Sequence, residues 1–444
     1  MIESPAFAGK RYAVLGLARS GLSTVAALAA SGAHVTAWDD KPEARAAAAG
    51  MAEIADLAGI DLKGFDALVV SPGVPLNRHP LALSARDAGV PVIGDIELFA
   101  QARAGLPPHR LVAITGTNGK STTTALIHHI AAAAGPAMPG GNIGLPILGQ
   151  QPLPAGGVYV LELSSFQLDL TQHLDADVAV LLNLSPDHLD RHGDMGGYAA
   201  AKARLFAMQG PSKIAVIATD DEHSRAIAQA VGARLVEVSG SRTLTPGIAV
   251  VGGTAWIDGE AVAAQNDWPT LQGPHNAQNA AAAIGATLAL GIDRDVILNG
   301  LRTYPGLPHR MERVAERGGI LFVNDSKATN PTSAAPALAA YPAVHWILGG
   351  LAKTDELDAC LPHLGNVRAA YVIGEAAPLF RRLLEDKVRV VDAGTIEKAV
   401  EKAAAAAVSG ETVLLSPACA SYDQFRDYEE RGAAFRRAVE GLGQ

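Results

Sequence analysis

Cysteine is almost missing from this chain: there are only Cys360 and Cys419, far apart and without the spacing of a metal motif. Two reduced thiols are expected, not a disulfide framework. Positive charge is also scarce, with 36 Lys and Arg against 45 Asp and Glu and a formal net charge of −9. That balance argues against nucleic acid or an anionic membrane surface as a partner. The longest apolar run, Ala280–Ile292, contains glycine and falls well short of the roughly 20 residues that span a bilayer. Lys10 and Arg11 lead straight into a strand, with no apolar stretch and cleavage site. No leader is expected, and the chain reads as cytoplasmic. Aromatic residues are few, at 5%, whereas Ala and Gly abound and 49% of residues are apolar. This composition describes an α/β protein with tightly packed helices and many glycine turns.

At 444 residues the chain is long enough for about three ordinary domains. Strands are expected at 11–17, 34–38, 67–70 and 90–93, with an Ala-rich helix at 20–31. A second set follows at 111–114, 158–163, 178–182 and 214–217, with a hairpin at 248–257 turning on Gly252-Gly253 and a helix at 275–291. Tyr304-Pro305-Gly306-Leu307-Pro308 reads as a linker, because proline and glycine interrupt regular structure. Strands at 320–323, 344–348, 370–373, 388–391 and 412–415 form the third set. Strands alternating with helices imply parallel sheets.

The most specific local signal is Gly116-Thr117-Asn118-Gly119-Lys120-Ser121-Thr122, which follows an apolar strand and opens a helix. It is a shortened form of the phosphate-binding loop. Its amides and the helix N-terminus face an anion, Lys120 neutralises it, and Ser121 can ligate Mg²⁺. A nucleoside triphosphate is the implied ligand. Glu162 ends a strand downstream of this loop, where an acid holds Mg²⁺ in such proteins. Gly16-Leu17-Ala18-Arg19-Ser20-Gly21, with Asp39 closing the next strand, has the shape of a dinucleotide fingerprint but lacks its second glycine. A nucleotide diphosphate, NAD and a purely structural turn all remain open there.

Other residues are ambiguous when taken singly. His188, in the loop Asn183–Arg191, can ligate a metal or bind an oxyanion, and Lys202 alone is a solvated helix lysine. Asn276 and Asn279 share one helix face and suit adenine, although Asn276 could equally cap its helix. Asp325–Asn330, Leu348–Lys353 and Ser416–Ser421 each follow a strand. Their lysines and hydroxyls at one sheet rim suit a dicarboxylate.

Taken in order, GTNGKSTTT, GNIG at 141–144, ELSSFQL, DHLDRHG, GPHNAQN, LPHR, NDSKATN and SPACASYDQFRDYEERG resemble the Mur ligase family along essentially the whole chain. The likeness is closest to the branch that adds D-glutamate. The resemblance implies an α/β protein of three domains: a Rossmann-like UDP-substrate domain at 1–98, a central P-loop ATPase with a parallel sheet at 99–306, and a Rossmann-like amino-acid domain at 307–444. It also implies an ADP-forming ligase of peptidoglycan synthesis. The carboxylate of UDP-N-acetylmuramoyl-L-alanine would be phosphorylated by ATP, and the amine of D-glutamate would displace phosphate. Gly116, Thr117, Asn118, Gly119, Lys120, Ser121, Thr122, Asn276, Asn279, Arg310 and Asp325 would contact ATP. Ser121 and Glu162 would hold one Mg²⁺. His188 and Lys202, the latter carbamylated by CO₂, would serve a second. Arg19, Ser20, Asp39, Ser71, Asn142, Ser164 and His188 would line the UDP-substrate path; Lys327, Thr329, Lys353, Ser421 and Tyr428 would hold D-glutamate. No nucleic-acid or membrane partner is implied, and a monomer is expected.

Leu351-Ala352 and Thr354 depart from the family's more polar pair and glycine at those places. An Asp-Asn-Pro-Arg motif, expected of a diaminopimelate-adding relative, is absent. The rival readings are another Mur-type ligase or a folylpolyglutamate synthase, an NAD-dependent oxidoreductase built on the first turn, and a P-loop switch without a small-molecule product.

Overall fold

A computed structural model describes residues 1–76 and 79–443, with Pro274 and His275 described in backbone only. The chain divides into two compact units, Met1–Tyr304 and Pro305–Gln444. The division falls in the Tyr304–Pro308 segment, which has no helix or strand.

In the first unit, a five-stranded parallel sheet runs in the order Glu53–Ile54, His34–Trp38, Arg11–Leu15, Ala67–Val70, Val92–Ile93. A nine-stranded sheet runs Glu260–Ala264, Thr254–Ile257, Ile248–Val251, Arg234–Ser239, Ile214–Ala218, Val178–Leu181, His109–Thr115, Gly157–Glu162, Ala137–Gly141. It is parallel except for the turn-linked strands after Ile248, which include the expected hairpin.

The strand His109–Thr115 shows why the sequence folds this way. Its side chains alternate between faces: Leu111 and Ala113 enter one apolar cluster, Val112 and Ile114 another. A strand apolar on both faces must be covered on both, as parallel sheets are. The helices Lys120–Ala134 and Pro274–Ala289 cover the second face. Four consecutive alanines, Ala280–Ala283, let the latter helix sit close. Truncating Ile114, fully buried here, to alanine would cost about 2–5 kcal/mol.

The first cluster also contains Tyr12, Val14 and Val69 of the five-stranded sheet, so both sheets share one core. The expected boundary after residue 98 falls inside the helix Asp95–Ala102. Its Ile96, Leu98 and Phe99 join that core. Glu97, fully buried, accepts hydrogen bonds from the Gln172 and His173 amides and pairs with His173 Nδ1 at 2.6 Å.

In the second unit a six-stranded sheet runs Glu312–Arg317, Ile320–Asn324, Thr412–Leu415, Val344–Gly349, Val367–Ile373, Val390–Gly394. Only its first pair is antiparallel. Apolar clusters lie on both faces, with Trp346 in one and Ile347 in the other.

Several strands escape the sequence reading. Ala137–Gly141 reads Ala-Met-Pro-Gly-Gly, yet it pairs at a sheet edge, the position where proline is tolerated. Glu312–Arg317 is a charged edge strand with little apolar signal.

Candidate functional site

The phosphate-loop segment lies between the strand His109–Thr115 and the helix Lys120–Ala134. Gly119 adopts φ +83°, and a Cβ there would collide with Asn279 Oδ1; only glycine fits. The Thr117 amide donates to the Asn183 carbonyl at 2.8 Å, and the Asn118 amide to Asn183 Oδ1 at 2.9 Å. The N–H groups of a helix's first turn have no intrahelical acceptor and sit at the positive end of its dipole. Ser121, nearly buried, and Thr122 occupy that turn. Lys120 Nζ folds back over the loop, donating to the carbonyls of Gly116 at 3.0 Å and Thr117 at 2.8 Å. The result is a cradle for an anion.

Glu162 ends the neighbouring strand, in register with Ile114. It is 2% exposed. Oε1 accepts from Asn142 Nδ2 at 2.9 Å, whereas Oε2 is buried without a hydrogen-bond partner among the described residues. A bare carboxylate oxygen inside a protein is costly, and a hard cation removes that cost. The Ser121 hydroxyl and the Glu162 carboxylate are the oxygen donors Mg²⁺ prefers. Among the described residues there is no cluster of three or more His, Cys, Asp or Glu able to hold a metal unaided.

Lys202, solvated if read alone, is 1% exposed. The helix Met195–Ala207 points it inward, where Nζ donates to the Gly116 carbonyl at 2.9 Å and Thr115 Oγ1 at 3.3 Å. It also lies 4.8 Å from the Tyr198 ring. Burial, then the charge of Lys120, pushes its ammonium down to about 7, against the opposing pull of Asp187 and Glu162. Tyr198 itself reaches Thr117 Oγ1 at 3.2 Å. His188 has φ +51° and an exposed ring 3.5 Å from Asp187 Oδ2 and 4.8 Å from the Phe166 centroid.

Asn279 Nδ2 donates to Asn276 Oδ1 at 3.2 Å, and Thr123 Oγ1 donates to Asn279 Oδ1 at 3.3 Å. Gly273 is the N-cap of this helix, so Asn276 does not cap it; its Nδ2 donates to the Gln272 carbonyl. Lys120, Lys202 and Asn279 therefore meet at one loop, and Glu162, bonded to Asn142, ends the strand beside the one that enters it.

The first turn of the chain is tied differently. Ser71 Oγ donates to the Gly16 carbonyl at 2.8 Å. The Asp39 carboxylate accepts from the Leu17 amide at 2.7 Å and the Lys41 amide at 2.9 Å. Burial acts against ionisation of Asp39, but these amides with Lys41 and Arg45 outweigh it and hold the carboxyl below its usual range. Arg19 Nη2 reaches the Gly144 carbonyl at 3.3 Å. Ser20 and Ser71 line a small cavity with Thr24 and Asp95; burial pushes the Asp95 carboxyl up to about 6. Ser164 and Gln167 form a capping box on the helix Ser165–Asp169.

In the second unit, Asp325 Oδ2 accepts from Ser416 Oγ at 2.8 Å and Oδ1 from the Met311 amide at 3.1 Å. Burial drives its carboxyl up to about 7, only partly offset by Ser416, Met311 and the charge of Arg310. Lys353 Nζ donates to Thr329 Oγ1 at 3.3 Å, and Lys327 Nζ lies 5.5 Å from the Tyr428 ring. Ser421 is buried on the loop after Thr412–Leu415. The sequence reading missed Arg431. It is 1% exposed and donates to Ser326 Oγ and to the carbonyls of Ser326, Cys419 and Ala420, so it holds two strand-end loops together. Burial lowers its guanidinium to about 10. Its exposed-looking neighbours Glu429 and Glu430 gave no sign of this.

Among the described residues, no helix is long and apolar enough to cross a membrane. Three family models match in chain order: Mur ligase MurD-like N-terminal domain at residues 10–94, Mur ligase middle domain at 114–287, and Mur ligase glutamate ligase domain at 309–419. The UDP-N-acetylmuramoylalanine--D-glutamate ligase of Novosphingobium aromaticivorans is 61% identical over 443 residues, covering 100% of this chain and 97% of that protein. The protein of the same name from Sphingopyxis alaskensis is 59% identical, with 100% of both chains covered. Among solved structures, the UDP-N-acetylmuramate-alanine ligase of Thermotoga maritima is 16% identical, covers 97% of this chain and 99% of its own, and has a TM-score of 0.59. That likeness concerns the fold alone. With all three models matched in order and close relatives along its full length, the chain belongs to the Mur ligase family.

Proposed function

We propose that this protein is an ATP- and Mg²⁺-dependent ligase that joins D-glutamate to UDP-N-acetylmuramoyl-L-alanine, working as a monomer in the cytoplasm. The full-length likeness to relatives named for D-glutamate addition carries this reading. The cradle at Gly116–Lys120, beside a Glu162 carboxylate with one bare oxygen, supports the chemistry.

In this reading the helix N-terminus and Lys120 receive the β- and γ-phosphates. The substrate carboxylate attacks the γ-phosphorus, and ADP leaves. The D-glutamate nitrogen then attacks the acyl carbon, phosphate departs, and the nitrogen sheds a proton. Such chemistry needs positioning and charge neutralisation more than covalent help. Ser121 and Glu162 would hold one Mg²⁺; His188 and Lys202 would serve a second. Bound there, Mg²⁺ neutralises charge on the transferred phosphoryl group. Lys202, lowered to about 7, has a substantial neutral fraction at physiological pH. The neutral amine can add CO₂ and lose a proton to form a carbamate. Asn276, Asn279, Arg310 and Asp325 are assigned to ATP. The remaining assignments are Arg19, Ser20, Asp39, Ser71, Asn142 and Ser164 to the UDP-substrate, and Lys327, Thr329, Lys353, Ser421 and Tyr428 to D-glutamate.

Phosphate release tests the reading. With ATP, Mg²⁺ and the muramoyl-alanine nucleotide, D-glutamate should stimulate release, whereas L-glutamate, meso-diaminopimelate and D-alanyl-D-alanine should not. Stimulation by diaminopimelate and not D-glutamate would overturn it.

A further inference from the structure

Asn183 holds the phosphate loop from outside, and its own orientation is set by residues the ligase reading does not use. Asn183 Oδ1 accepts from the Asn118 amide at 2.9 Å, while Nδ2 donates to the Asn118 carbonyl at 3.2 Å. One side-chain amide thus clamps one residue of the loop through both of its peptide groups. Because a backbone N–H can only donate, the oxygen of Asn183 must face it, and Nδ2 must be the donor elsewhere. That nitrogen also donates to Gln278 Oε1 at 2.7 Å. Gln278 in turn has to present Nε2 to Asp220 Oδ2, at 2.7 Å.

The far end of this chain is firmly anchored. Asp220 Oδ2 also accepts from the Gly240 amide at 3.0 Å, and Oδ1 accepts from Ser239 Oγ and Ser241 Oγ at 2.5 and 2.6 Å. These bonds outweigh the effect of burial and hold the Asp220 carboxyl below its usual range. An ionised Asp220 can only accept, so polarity runs one way along the chain, from the loop amide to the carboxylate. Gln278 sits between Asn276 and Asn279 in sequence, but its side-chain amide pairs with Asn183 and Asp220.

We infer that Gln278 and Asp220 are positioning residues for nucleotide binding: through Asn183 they fix the backbone of Asn118 on both sides of its Cα, and with it the direction of the following helix N-terminus. This inference rests on the ATP reading above and adds two residues that touch no nucleotide.

Binding of a fluorescent ATP analogue to the full chain tests it, alongside the KM of each substrate. Gln278→Met fills the same space without hydrogen bonds and should weaken nucleotide binding about tenfold, the effect of about one net buried hydrogen bond. ATP KM should rise, the KM values of the other two substrates should hold, and the melting temperature should change little. Gln278→Glu sets carboxylate against carboxylate and should bind more weakly still. Adding Asp220→Asn to it supplies a donor and should recover at least half of that loss on a logarithmic scale, a coupling that merely structural residues would not show. Unchanged nucleotide binding in Gln278→Met, simply additive losses, or KM values that all rise together with a lowered melting temperature would each overturn the inference. If the wild-type protein itself fails to bind the analogue, the ATP reading falls and this inference falls with it.

Discussion

Two turns in the first unit have similar local sequences and opposite surroundings. At Gly16–Gly21 the exposed polar groups are answered from within: Ser71 takes the Gly16 carbonyl, and Asp39 takes the Leu17 and Lys41 amides. At Gly116–Lys120 Asn183 takes the Thr117 and Asn118 amides, but nearby Glu162 Oε2 has no hydrogen-bond partner among the described residues and Lys202 is buried under a depressed pKa. Both are a strand, a glycine turn and a helix start. The first is stitched together by side chains of its own protein; beside the second lie a carboxylate oxygen and a buried amine that a ligand can engage. Motif shape says where an anion can approach, and the balance of surrounding polar groups says where one is needed.

Substitutions can break this contrast. Lys120→Ala should lower turnover about a thousandfold or more, with a nearly unchanged melting temperature, because the half-buried side chain lies outside the apolar clusters. Lys202→Ala should lose about a hundredfold and regain part of that with an added small carboxylate; wild-type rates would remove the carbamate role. The same lysine should leave a pH signature. Its pKa is low in the folded state, about 7, so the folded protein binds fewer protons than the unfolded chain from there up to the ordinary lysine range. Stability from this group is therefore lost as pH falls from the ordinary lysine range to about 7 and returns as pH rises across the same window. Melting curves of wild type and Lys202→Met against pH should diverge in that window.

Glu162→Gln should cost tens-fold in rate and raise the Mg²⁺ requirement, about 2 kcal/mol in effect. Without metal it should melt at or above the wild-type temperature, because a bare buried charge has been removed. A lower melting point would contradict the proposed metal role. On the stitched turn the expected losses are in stability. Gly21→Ala would drive a Cβ into the Gly16 carbonyl and should cost about 1–3 kcal/mol, measured by denaturant unfolding. Asp39→Asn should be mildest, at about 1 kcal/mol or less, since one oxygen can still accept from an amide. The same unfolding measurement checks it: a loss above about 3 kcal/mol would mean that these amide bonds weigh more in the first turn than the comparison allows.

Much of this was legible in advance where local physics is decisive. The strand before Gly116, the helix after it and the linker at Tyr304–Pro308 follow from apolar runs and from glycine and proline placement. Lys202 was not legible, because an Ala-rich helix with one lysine looks the same whether that lysine faces water or core. Nor were Arg431 and Gln278, whose partners come from distant stretches of chain. Edge strands such as Ala137–Gly141 were missed because pairing, not propensity, makes them strands.

What the sequence alone determined is the parallel α/β architecture and the place of the phosphate loop, since hydrophobic periodicity and glycine turns act over a few neighbouring residues. Only the tertiary structure decided which polar groups are satisfied: that Glu162 keeps a bare oxygen, that Lys202 is stripped of water, and that Asp39 is already engaged. Desolvation and hydrogen-bond partnership depend on residues far apart in the chain, so no local pattern can report them.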